Sequence, residues 1–337
     1  MMNLMKQPKP GNKKGSNISN MLTIILVIIG AGAILGLIRS SFLTMDNFNV
    51  LANAFTITAL VGLAQMIIIA AGGMNLAVGS MGGLAGITAG ALMDKMGTPA
   101  ALAVLAGICI GMLCGLVNGI LINRAGSKGV SFFLVTLATS SVFGGIVQGI
   151  TNANPFYKLD PGFLAIGQTT FIGMPLVMWI MIIVAVLVGL LFKYTGTGRR
   201  ILAFGGNIRA SELYGISIKR VVIVSNVLSG LIASIAAILL VARLGSAQPD
   251  IGSDWMLFSF AAPLIGGTRL TGGKVNAFGT VLGAVLLSMI SNGLVHLNVD
   301  VFWMTLIQGV IILAAVAVER IRQINSENMQ RKEHVAV

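Results

Sequence analysis

The chain of 337 residues is 56% hydrophobic and 9% charged, with a mean hydropathy of +0.93, which leaves too little polar surface to clothe a water-soluble globule and excludes that class. Its net charge of +12 is scattered over several short segments, so a nucleic-acid footprint is excluded as well. The two cysteines, Cys109 and Cys114, share one apolar run at a spacing that sets them on different helix faces, which gives neither a disulfide framework nor a metal motif.

Taken in chain order, apolar runs near the length of a bilayer crossing fall at 21–38, 50–70, 76–93, 98–122, 130–150, 172–192, 221–242, 255–267, 277–295 and 301–318. Residues 1–20, rich in Lys, Asn, Gly and Pro, read as a disordered cytoplasmic lead. No small-x-small cleavage site follows the first run, where the chain reads Arg39-Ser40-Ser41-Phe42, so that run is expected to stay as a membrane segment. The glycine-rich stretch from Gly72 to Gly86 and the short run at 255–267 predict broken or re-entrant elements. The expected fold is therefore an all-α integral membrane protein, a bundle of about ten transmembrane helices with one or two broken or short ones. It occupies 21–318, carries a cytoplasmic loop at 194–220, and ends in a cytoplasmic tail at 319–337.

Orientation follows from lysine and arginine, which short loops retain on the cytoplasmic side. With the N-terminus inside and ten crossings, 18 of the 22 basic residues fall inside, and only Arg39, Lys95, Lys158 and Arg243 fall outside. All six aspartates fall outside and all four glutamates inside. The chain is expected to cross a membrane many times, with both termini cytoplasmic.

No expected span carries a central acid or base, and no paired carboxylates, nucleophile elbow or zinc-type cluster occurs, so neither catalytic nor metal residues nor a cofactor are expected. The run Gly267-Thr268-Arg269-Leu270-Thr271-Gly272-Gly273-Lys274-Val275 looks like a phosphate loop. It is one residue too long, Val275 stands where Ser or Thr should hold magnesium, and a tight turn between spans accounts for it better. The polar residues within spans are amides, and an amide in hydrocarbon must face a neighbouring helix or a wet pathway. Gln65, Asn75, Asn118, Asn292 and Gln308 are the candidates for lining a path for a hydroxylated solute, with interhelical hydrogen bonding as the other reading of each. Gln148 and Asn226 are further span amides. Gly82, Gly86 and Gly90, and Gly111 with Gly115, repeat at the spacing that lets helices approach closely.

The longest hydrophilic interior segment runs from Lys193 to Arg220. Within it Asn207 can cap a short helix that ends at Gly215 and carries Arg209, Glu212, Leu213 and Tyr214. Exposed apolar residues on such a helix suit a groove on a partner.

The segment Thr197 to Ile216 resembles the cytoplasmic loop of the permease subunits in ribose-type ABC sugar importers. Three more segments do so in order: Gly73-Met74-Asn75-Leu76-Ala77-Val78-Gly79-Ser80, then Ile265-Gly266-Gly267-Thr268 with Gly272-Gly273 and Gly279-Thr280, then Asn292-Gly293-Leu294 with Phe302-Trp303. The resemblance implies a second permease copy or homologue, two ABC ATP-binding subunits, an external solute-binding protein, and a small sugar-like solute passed between permeases in the lipid membrane. It also implies that Asn207, Arg209, Glu212, Leu213, Tyr214 and Gly215 form a coupling helix contacting the ATPase. Asn75, Ala77 and Arg269 depart from the family pattern, which leaves the solute open. The rival readings are a stand-alone secondary carrier or facilitator, which would move solute with no ATPase, and a membrane scaffold, which would move none.

Overall fold

A long apolar run folds as a helix in lipid because the helix satisfies its backbone polar groups without water. In the computed structural model, which describes residues 13–127, 129–300, 302–310, 313, 314 and 317, the chain is nearly all helical. In order come α1 (Lys13–Ile38), a 3₁₀ turn (Ser40–Leu43), α2 (Met45–Ala70), α3 (Val78–Met96), α4 (Ala100–Arg124) and α5 (Gly129–Thr151). After them come α6 (Pro161–Gln168), β1 (Thr170–Phe171), β2 (Met174–Pro175), α7 (Leu176–Tyr194), α8 (Gly196–Gly206), α9 (Ile208–Leu213), α10 (Ile218–Leu244), α11 (Trp255–Ile265) and α12 (Ala277–His296). The stretch 302–310 is helical too.

Seven helices among the described residues are long and apolar enough to cross a membrane: α1 over Met21–Ile38, α2, α4, α5 over Val130–Thr151, α7, α10 and α12. Glycine dilutes the hydropathy of α3, and α11 has 11 residues, about 16 Å of rise, which is short of a crossing. The expected run at 301–318 is described only in part, and the lead over residues 1–12 and the tail at 319–337 lie outside the described residues.

Three local departures from the sequence reading have physical causes. Helix α1 begins at Lys13, eight residues before its apolar run, so part of the expected disordered lead is helical. Helix α6 starts where Asp160 accepts from the N–H groups of Gly162 and Phe163 and Pro161 sits at the first helical position. The expected span at 172–192 starts four residues late, because Ile172 and Gly173, both at positive φ, turn a two-residue hairpin between β1 and β2. Pro175 then caps α7.

Helix α2 forms the centre, with every residue of 59–70 buried and α10, α11 and α12 packed around it. The most extensive helix pair is α4 with α10, and small residues make it possible. A methyl on Gly111 would lie 2.7 Å from the Gly230 carbonyl oxygen, and one on Gly119 would lie 2.8 Å from the Ile223 Cα. Gly115 is pressed against the Asn226 carbonyl in the same seam. On α3, Gly82, Gly86 and Gly90 pack on Ala233, Ala237 and Ala247. The glycine repeats read from the sequence are thus helix contacts at each position but Gly90, which meets the chain just after α10. The outer faces carry exposed Leu102, Leu105, Val142, Ile183 and Leu187, as lipid-facing helices require. Cys109 is exposed and Cys114 buried, on different faces of α4.

Overpacking a tight seam costs about 1–3 kcal/mol, or more where backbone must move. Gly111→Leu or Gly230→Leu should therefore sharply reduce the monodisperse fraction of detergent-extracted protein in size-exclusion chromatography. Gly30→Leu, at a position with nothing within 4 Å of an added Cβ, should leave that fraction unchanged.

Candidate functional site

Two segments of non-helical chain, 71–77 and 245–254, run between the helices, and the site is built where they meet. The first is fixed by side chains from three elements. With its amide turned to suit both groups, Gln65 of α2 donates to the Asn75 carbonyl (3.0 Å) and accepts from the Asn75 N–H (3.1 Å). Asn75 Oδ1 accepts from the Ala77 N–H at 2.8 Å, which turns the chain into α3. Thr136 of α5 accepts from the Leu76 N–H at 3.1 Å. Gln65, Asn75 and Thr136 are all fully buried.

The second segment leaves α10 at Gly245, in the left-handed region, and is tied to the loop after α5 by a pair of hydrogen bonds between Phe156 and Ala247 (2.9 and 3.0 Å). Its inner end lies on α3, with Gly252 backbone against Gly79 and the Ile251 carbonyl against Gly83. Only glycines on α3 allow that approach.

A groove of about 350 Å³ opens between the start of α3, one face of α5 and this segment. Its polar lining is Ser80, Ser140, Gln148, Asp250 and Ser253, with Leu76, Val147 and Met256 as apolar walls. Ser140 stands at the middle of α5 and Gln148 one turn from its end, so the groove runs from mid-helix towards the loop at 152–160. Asp250 is its sole titratable lining residue, is exposed, and has no ion-pair partner among the described residues. The groove can therefore accept hydrogen bonds at one carboxylate and exchange them with hydroxyls and an amide, while offering no cation.

The five amides put forward from the sequence do not converge. Gln65 binds the backbone of Asn75, and the Asn75 side chain binds its own segment at the Ala77 N–H, behind the groove that Leu76 lines. Asn118 is buried against Met81, its Nδ2 3.4 Å from the sulfur, and its Oδ1 has no partner among the described residues. Asn292 exchanges hydrogen bonds with Asn47 at the other end of α2 (2.9 and 3.1 Å), in a cluster where His296 Nε2 lies 2.9 Å from Asn47 Oδ1. Gln308 donates to Ser291 at 3.1 Å. Sequence reasoning passed over Ser80, Ser140, Asp250 and Ser253; the paired turn signals around Pro249 and Gly252 were the available sign that this chain segment folds back.

At the far end of the bundle the hydrophilic segment forms α8 and α9. Asn207 caps α9, its Oδ1 accepting from the Ala210 N–H at 3.0 Å, and Gly215 (φ 74°) ends it. Arg209, Glu212, Leu213 and Tyr214 are all exposed, the last two at 88% and 86%, which is uncommon for large apolar side chains with no lipid-length helix beneath them. The segment is joined to the core by the buried side chains of Ile201 and Phe204 and by close backbone contacts. Gly205 at the end of α8 rests on the Ala70 carbonyl, and the Gly273 N–H donates to that same carbonyl at 3.1 Å. A methyl on Gly272 would lie 2.8 Å from both the Gly205 oxygen and the Gly72 nitrogen. The run at 267–275 is thus the tight turn expected, held shut by the Arg269 N–H donating to the Lys274 carbonyl at 3.2 Å.

Residues 47–316 match the family model described as branched-chain amino acid transport system / permease component. The chain is 34% identical to the ribose import permease protein of Escherichia coli K12 over 312 residues, covering 90% of this chain and 93% of that one. It is 32% identical to the D-allose transport system permease protein of the same organism over 301 residues, 89% and 90% of the two chains. The L-arabinose transport system permease protein, again from that organism, is 32% identical over 303 residues, 90% of each. No solved structure matches.

Gln65→Ala would leave the N–H and C=O of Asn75 buried without partners, at a cost of about 1–3 kcal/mol. The expected result is a lower thermal midpoint of the purified protein and faster protease cleavage between α2 and α3, with Gln65→Glu, which loses the donor, falling between the two.

Proposed function

This chain belongs to the family of branched-chain amino acid transport system permease components, and from that premise we propose that it is the membrane-spanning subunit of an ATP-binding-cassette importer for a sugar. It is a multi-pass bacterial inner-membrane protein and a transport component, not an enzyme. ATP is hydrolysed by separate ATP-binding subunits, solute arrives from an external binding protein, and a second permease copy or homologue closes the path. In this reading α3, the re-entrant α11 and the helix containing 302–310 complete ten membrane elements. Both termini are then cytoplasmic, along with residues 1–20, the loop at 194–220 and the tail at 319–337.

The observation that carries the choice of solute is the groove. A zwitterionic amino acid brings a carboxylate that needs a cation or a cluster of N–H donors, and the groove offers one carboxylate, hydroxyls and an amide. A neutral polyol needs no counter-charge, and adjacent hydroxyls can both donate to Asp250. The sugar names of the relatives point the same way. With the N-terminus inside, the groove opens outward, where delivered solute would first meet it. Gln65 and Asn75 then hold its floor, and Asn118, Asn292 and Gln308 keep neighbouring helices in register while the path opens and closes.

The stroke starts at α9. ATP-driven closure of the ATP-binding subunits presses on Asn207, Arg209, Glu212, Leu213, Tyr214 and Gly215. Gly205 passes the displacement to Ala70 and Gly273, and the segment pinned by Gln65 passes it to α3, one wall of the groove. Backbone contact between glycines has no flexible side chain to absorb the motion.

Two measurements test this reading. Cells expressing the chain with its ATP-binding and solute-binding subunits should take up labelled aldoses, tried as ribose, allose and arabinose, and should not take up leucine; the reverse pattern would overturn the sugar assignment. Leu213→Glu with Tyr214→Glu should weaken recovery of the ATP-binding subunit on the order of tenfold and abolish uptake, with membrane insertion intact. Unchanged uptake would remove α9 from the coupling role.

A further inference from the structure

A cavity of about 390 Å³, separate from the groove, lies at the foot of the bundle between α8 and the start of α10. We propose that it holds the phosphate of an anionic phospholipid, with Arg200 and Arg220 as its ligands.

Arg200 and Arg220 bring charge to the lining, Thr197 and Ser217 hydroxyls, and Val221 and Val224, one to two turns up α10, an aliphatic wall, while Tyr214 and Gly215 at the end of α9 border it. Charge, hydroxyl and aliphatic wall in one cavity match the phosphate, glycerol and acyl chain of a phospholipid. Its place suits the same ligand: α7 ends at Tyr194, α8 begins at Gly196, and α10 begins at Ile218, so the cavity sits where two membrane helices leave the lipid. No acid lines it, and neither guanidinium has a hydrogen-bond or ion-pair partner among the described residues. Arginine binds phosphate through paired N–H donors, and basic pockets between helices at this depth are where anionic head groups lodge. The aliphatic wall belongs to α10, a helix long and apolar enough to cross a membrane, which favours lipid over a water-soluble partner. The proposed ligands, Arg200 and Arg220, are not among the residues assigned to the ATP-binding subunit, whose face borders the cavity at Tyr214 and Gly215.

The test uses the full chain in detergent. Native mass spectrometry and thermal unfolding are followed as phosphatidylglycerol, phosphatidylcholine or inorganic phosphate is added. Retention of phosphatidylglycerol over phosphatidylcholine, with a raised unfolding midpoint, is expected. Arg200→Gln with Arg220→Gln should reduce that retention severalfold, and Val224→Trp, which keeps both charges and fills the aliphatic end, should do so too. Equal retention of the two lipids, or double-variant retention matching the parent, would overturn the proposal. So would a stabilisation by inorganic phosphate as large as that by lipid, which would make the cavity a soluble-anion site. Loss of ATP-binding-subunit recovery in the double variant, with lipid retention unchanged, would make it a protein contact instead.

Discussion

The contact on which the rest of the structure depends is that of the 245–254 segment against α3. Non-helical backbone carries N–H and C=O groups that lipid cannot satisfy, so at membrane depth it must be enclosed by protein. Here the enclosing surface is a helix face stripped to glycine at Gly79 and Gly83, which brings the backbones of Ile251 and Gly252 to where a side chain would otherwise stand. A Cβ at either position would drive the segment outward, and with it Asp250 and Ser253. The groove is thus a consequence of two missing methyl groups, and its polar character comes from a loop that α3 allows to lie inside the bundle.

The same device recurs at the opposite end. Ala70, Gly205 and Gly273 meet backbone to backbone, with one carbonyl serving as hydrogen-bond acceptor for one segment and resting surface for another. Between the two glycine contacts lies the 71–77 segment, held by Gln65, Asn75 and Thr136. The links from α8 to the groove thus include main-chain contacts and buried hydrogen bonds, beside the buried Ile201 and Phe204 side chains. Close-packed contacts of this kind transmit displacement because they have little room to yield. The exposed part of the assembly is confined to α9, whose Asn207 cap and Gly215 terminus define a rigid short helix with two large uncovered side chains.

Much of the helical framework is legible in the sequence, because a lipid-spanning helix is written as an uninterrupted apolar run and its packing faces as glycine repeats. The cap at Asn207 and the tight turn at 267–275 are legible for the same local reason: a side chain or a glycine at one position fixes the backbone there. Asp160-Pro161 carried an equally local signal for α6. The groove was not legible. Ser80, Ser140 and Asp250 lie on three elements far apart in the chain, and nothing local marks that they converge. The span amides carry two readings from the sequence, and Gln65 on the Asn75 backbone with Asn75 Oδ1 on the Ala77 N–H shows that such an amide can brace the chain with no solute. Burial cost alone therefore cannot separate a path-lining amide from a brace.

That distinction bears on how such a protein can admit a hydroxylated solute without a high-affinity site. A transport path must bind weakly enough to release, which argues against lining it with fully buried amides whose geometry is fixed. Exposed hydroxyls, one exposed amide and one carboxylate on a loop meet that requirement, since each is solvated before the solute arrives and each exchanges water for solute hydroxyl at little net gain. In the proposed function the rigid amides belong to the machinery that moves the wall, and the labile polar groups belong to the wall itself. Placing the second set on a non-helical segment pressed against glycines lets a small displacement of α3 change the width of the groove without breaking any helix.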